Sequence, residues 1–130
     1  MLDKVKYWLD LCDEDISVAK SLINSKHYLQ AGFFCHLVAE KALKAVIESV
    51  TRETPPKTHD LMKLALKAGF FDSLPEDSVK LLKELQPLQI EARYPDYKAT
   101  IAEMMTNERT KRIFKETEEF LCWIKQRLDR

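Results

Sequence analysis

Glycine is scarce in this 130-residue chain, which carries Gly32 and Gly69 alone. A P-loop or a dinucleotide-binding turn needs several glycines so that backbone amides can close around phosphate, and neither is expected here. Cysteine is equally thin: Cys12, Cys35 and Cys122 stand far apart with no Cys-x-x-Cys, which leaves structural zinc and haem attachment without support. Each falls in an apolar helical pattern, where a free thiol acts as a small hydrophobe, and a reducing cytoplasm is the expected setting. The histidines, His27, His36 and His59, are dispersed, and no Glu-x-x-His occurs, so the metal chemistry of helical bundles lacks its signature. No metal and no cofactor is expected. Charge of one sign is also missing, because 21 basic and 21 acidic side chains cancel. No global field then draws the molecule to a polyanion, and any such site must be local. Finally, no apolar run approaches the roughly 18 residues of a membrane span, and the charged start MLDKVKYWLDLCDED does not suit a signal peptide.

What remains is helical. The length suits one domain, residues 1–130. The segment 28–50, YLQAGFFCHLVAEKALKAVIESV, lacks proline and is rich in residues that lose little rotamer freedom in a helix. Ala31, Phe34, Cys35, Val38, Ala42 and Val46 form one seam, widened by Phe33 and Leu37, so this helix is expected inside a bundle. His36, Glu40, Lys44 and Glu48 follow every fourth position, and this stripe is expected to be a solvated face with i,i+4 pairing. Before it, Val5, Trp8, Leu9, Cys12, Ile16, Ala19 and Ile23 step as an amphipathic first helix from Asp3 as N-cap.

Pro55 and Pro56 break the pattern after Val50. Thr58 is the expected N-cap of a short helix over 59–68, with Leu61, Leu64, Ala65 and Ala68 inside and Gly69 as its stop. Ser73 and Glu76 have capping-box spacing before the stripe Val79, Leu81, Leu82, Leu85 and Leu88. Pro87, costing about 3 kcal/mol in a helix interior, predicts a kink over 83–87 with helical turns resuming through 89–92. Residues 93–97 are expected as irregular backbone. A last helix starts at Thr100, or at Thr106 or Asn107, and runs to about Leu128, with Trp123 off its seam and available to a subunit interface. The sum is an all-α fold, an up-and-down four-helix bundle with an additional short helix.

Two groups of residues suit phosphates and bases. Arg52, Lys57 and His59 bracket the Pro-Pro loop, and Arg93, Tyr94, Asp96 and Tyr97 crowd the second, where an arginine forks onto phosphate and a tyrosine stacks on a base. The structural alternatives are that Arg93 pairs with Glu91 or Asp96, that the tyrosines anchor the loop to the core, and that His59 makes an ordinary hydrogen bond at a helix start.

The run Ala39-Glu40-Lys41-Ala42-Leu43-Lys44-Ala45, then Thr58-His59-Asp60-Leu61, then Glu91-Ala92-Arg93-Tyr94-Pro95-Asp96 resembles the HEPN domain in order and spacing over nearly the whole chain. That resemblance implies a helical bundle that forms a homodimer, often encoded beside a minimal nucleotidyltransferase as a toxin-antitoxin pair. It also implies, for active members, a metal-independent ribonuclease carrying Arg and then His after four to six residues. Here Arg93 is followed by Tyr-Pro-Asp-Tyr-Lys-Ala-Thr, without His, whereas Arg52 and His59 have the spacing but flank the prolines. The expected function is therefore noncatalytic binding of nucleotide or RNA phosphates through Arg93, Tyr94, Asp96, Tyr97, His59 and Lys57, with a nucleotidyltransferase partner. The alternatives are a ribonuclease using Arg52 or Arg93 with His59, and a purely structural dimerisation module.

Overall fold

The first two helices, α1 (Asp3–Asn24) and α2 (Tyr28–Thr51), lie antiparallel. Their cross-contacts run in opposite directions along the two axes: Lys44 Nζ lies 5.7 Å from the Trp8 ring centre, and Cys12, further along α1, donates from Sγ to the carbonyl of Val38, earlier in α2, at 3.5 Å. A computed structural model describes residues 2–70, 72–92 and 94–128. Within it follow α3 (Leu61–Lys67), α4 (Glu76–Leu85), short 3-10 turns at Gln86–Leu88 and Ile90–Ala92, α5 (Pro95–Met104) and α6 (Asn107–Leu128). The architecture is an all-helical bundle, and among the described residues no helix is long and apolar enough to cross a membrane.

The central helix α2 packs against α1, α3, α4 and α6. Its alanines, Ala31, Ala39, Ala42 and Ala45, are buried and let neighbouring backbones approach, while Leu43, Val46 and Ile47 fill the space between. Leu61, Leu64, Leu81, Leu82, Leu85, Ile113, Phe120 and Ile124 complete the core, each contributing about 1.5–3 kcal/mol of burial. Gly32 serves close packing: a Cβ there would stand 2.8 Å from Met105 Cε and 3.1 Å from a Leu88 methyl carbon. Gly69 ends the α3 segment at φ +83°, a conformation glycine adopts without penalty.

Several local expectations change. The stripe on α2 is not a solvated face: His36, Glu40, Lys44 and Glu48 are 0, 4, 9 and 5% exposed. A periodic pattern reports which residues share a face but not what covers that face, and here α1 and the segment before α3 reach over it. Thr58 does not cap α3. Asp60 does, accepting from Lys63 N–H at 3.2 Å, while Thr58 Oγ1 accepts from Asp60 N–H at 3.2 Å, so His59 stands just before the helix instead of in its first turn. Pro75, not Ser73, is the N-cap of α4, and Pro87 ends that helix in a 3-10 turn instead of kinking it.

The expected loop over 93–97 is helical from Pro95. Proline at the first helical position lacks an N–H that would be unsatisfied there anyway, and the extended Tyr94, at φ −71° and ψ 156°, has the conformation a pre-proline residue prefers. The last helix starts at Asn107, the latest of the expected starts. Cys122 is exposed, unlike Cys12 and Cys35. Trp123 packs within the chain, edge-on to Phe70 at 5.2 Å with the Arg127 guanidinium 4.7 Å from its ring centre.

Candidate functional site

Helical spacing places His36, Glu40 and Lys44 in one column on α2, and the segment before α3 brings His59 against it. Glu40 Oε1 accepts from His59 Nδ1 at 2.8 Å, and Glu40 Oε2 accepts from Lys44 Nζ at 3.0 Å. The ammonium of Lys44 also lies 5.7 Å from the Trp8 ring centre, so α1 supplies an aromatic face to a cation with little access to water. His36 Nδ1 is 3.7 Å from Glu40 Oε1, while His36 Nε2 lies 3.2 Å from the His59 carbonyl oxygen. A carbonyl only accepts, so His36 donates there.

The His59 backbone is held from the opposite side as well. Gln86, in the 3-10 turn after α4, donates from Nε2 to the same carbonyl at 3.1 Å and accepts from Leu61 N–H at 2.8 Å. One main-chain oxygen therefore receives donors from two elements. The result is a buried carboxylate, a fixed backbone and an imidazole whose side chain is 58% exposed.

The sequence candidates lie on different elements. His59 is in it. Arg52 caps α2 in the left-handed region at φ 60°, about 18 Å along the axis from Glu40 at a rise of about 1.5 Å per residue. Lys57 is exposed in the Pro-Pro segment and, among the described residues, makes no ion pair or side-chain hydrogen bond. Tyr94 precedes α5 and is 85% exposed, while Asp96 and Tyr97 lie in the first turn, Tyr97 at 39%. Arg93 lies outside the described residues.

A cleft of about 480 Å³ between α4 and α6 is a poor phosphate site by its charge. Asp77, Glu84, Glu116 and Glu119 line it against Lys80 and Arg112, and Arg112 is already committed, donating to Glu84 at 2.7 and 3.0 Å and to Glu116 at 2.9 Å. The hydrogen bond from Arg112 holds the Glu84 carboxyl below the usual carboxylate range. Burial pushes the Cys12 and Cys35 thiols up to about 12, which keeps them neutral and unreactive.

Glu40, His36, Lys44 and Gln86 escaped the sequence reading as site residues. For the first three a signal existed, a polar column on a helix apolar on its remaining sides. Gln86 had none, because its role is a contact 25 and 27 positions away.

The family model of the HEPN domain matches residues 5–128. The crystal structure of TT1696 from Thermus thermophilus superposes with a TM-score of 0.81 at 22% identity, covering 96% of this chain and 98% of that one. The crystal structure of ST0689, an archaeal HEPN homologue, gives 0.72 at 18% identity, covering 97% and 98%. At these identities the likeness is one of fold. No curated protein sequence matches the chain.

Proposed function

The chain belongs to the HEPN domain family, and on that premise we propose that it binds nucleotide or RNA phosphates without turning them over, as a homodimer paired with a nucleotidyltransferase in a toxin-antitoxin-like module. Arg93 and Lys57 supply positive charge, Tyr94 and Tyr97 stacking surface, Asp96 an acceptor for ribose or base, and His59 a phosphate donor. The observation that carries this reading is Tyr94, which is 85% exposed at the entry to α5. A large aromatic surface left in water beside an arginine in sequence has the chemistry of a base-stacking platform.

Titration with ATP and with a single-stranded oligonucleotide tests it. Saturable binding is expected, weakened about 5- to 150-fold in Tyr94→Ala, the equivalent of the 1–3 kcal/mol that a base–aromatic stack contributes. Arg93→Ala is expected to weaken it too. No saturable binding would sink the proposal. Dimer and partner are tested separately, by sedimentation of the isolated chain and by copurification with the nucleotidyltransferase.

A second reading, a metal-independent ribonuclease, draws support from the 2.8 Å contact between Glu40 and His59, since a carboxylate behind an exposed imidazole suits a general base for a 2′-hydroxyl. It requires RNA turnover that survives a chelator and disappears in His59→Ala.

A further inference from the structure

The contact between His59 and Glu40 restricts where the imidazole proton can sit. Ionised Glu40 only accepts, so the 2.8 Å contact places hydrogen on His59 Nδ1 whether the ring is charged or neutral. Glu40 is 4% exposed and has its second oxygen on Lys44 at 3.0 Å, so the carboxylate is not free to turn away. Nor is the histidine backbone, whose carbonyl accepts from His36 at 3.2 Å and Gln86 at 3.1 Å. Nε2 is left as the ring's second polar atom on a side chain that is 58% exposed.

We infer that Glu40 is a positioning residue that makes phosphate recognition by His59 depend on a single proton. Charged, His59 offers Nε2–H to a phosphate oxygen. Neutral, it keeps its hydrogen on Nδ1 and turns a lone pair toward the phosphate, which removes the donor and repels the anion. The inference rests on the phosphate-binding reading and adds the contacting atom, the residue that aims it and the sign of the pH dependence: affinity falls as pH rises. The titratable groups beside the ring are Glu40 and His36 on α2, with Lys44 behind them. Its own segment carries Lys57 and Asp60, the latter capping α3. The side chain packed from beyond α4, Gln86, is uncharged.

The experiment combines two measurements between about pH 5.5 and about pH 8.5, the range that brackets ordinary histidine titration. Nitrogen-15 NMR of the free protein reads the His59 tautomer. Fluorescence anisotropy reads affinity for a labelled 2′-O-methyl oligoadenylate, whose phosphodiester charges are constant over this range and which cannot be cleaved through a 2′-hydroxyl. Wild type is expected to show the Nδ1–H tautomer at high pH and to lose about tenfold or more in affinity across the range, the size of one charge-assisted hydrogen bond. In Glu40→Gln the amide oxygen is held by Lys44, which only donates, and the NH2 faces His59 Nδ1 as a donor, so the neutral ring carries its hydrogen on Nε2 and the pH profile flattens. His59→Ala removes the histidine step altogether. A purely structural Glu40 would instead lower affinity equally at every pH. An Nε2–H tautomer in wild type overturns the inference without any ligand. Binding with the same pH profile in wild type and Glu40→Gln overturns the inference and leaves the phosphate-binding reading intact, whereas no binding at any pH overturns both.

Discussion

Carboxylates meet cations in two contrasting places, along α2 and across the cleft between α4 and α6. The cleft has the better geometry, with Arg112 spanning both oxygens of Glu84 at 2.7 and 3.0 Å. The α2 cluster has single contacts, yet the Glu40 side chain is 5% exposed against 27% for Glu84 and 47% for Arg112. Water screens the fork in the cleft and competes for its donors, which limits such pairs to about 0–1 kcal/mol. Around Glu40 there is little water to take over a lost partner. Burial therefore ranks these two networks, and bond geometry does not. They also differ in what they leave available: Arg112 turns its donors onto Glu84 and Glu116, whereas the α2 cluster spends its bonds on aiming His59 outward.

Removing a partner from each network tests that contrast. Glu40→Ala strands the buried Lys44 ammonium, and a loss of about 3–5 kcal/mol is expected by urea denaturation; a loss as small as that of a surface pair would make the α2 column equivalent to the cleft. Gln86→Ala removes the donor to the His59 carbonyl and the acceptor for Leu61 N–H, with an expected cost of about 1–3 kcal/mol and a broadened His59 NMR signal as the ring loses its fixed base.

Glu84→Gln should cost under about 1 kcal/mol at neutral pH, and less as salt is added. Because Arg112 depresses the folded Glu84 value, its small contribution is present above the ordinary glutamate range and is lost as pH falls through the lowered value. Melts of wild type and Glu84→Gln should converge in acid. A difference that grew toward low pH would contradict the assignment of Arg112 as the dominant partner.

Much of the scaffold was legible because its signals are local. The apolar steps of α1 and α2, the break at Pro55 and Pro56, and the stop at Gly69 each depend on a few neighbouring residues. Pro95 misled for a definable reason: proline breaks a helix it interrupts but suits one it begins, and 93–97 held no signal deciding between the two. His59 was visible as a candidate, but the carboxylate behind it was assigned to a solvated face.

By itself the sequence determined an all-helical chain, where its long helices break and which residues share each helical face, since periodicity and turn chemistry act over a few residues. Tertiary structure alone decided that the column of His36, Glu40, Lys44 and Glu48 is enclosed, that Glu40 meets His59 and that Gln86 holds the same backbone. Solvent access and partner choice depend on which elements pack over a face from 19 to 36 positions away, a distance over which no helical pattern carries information.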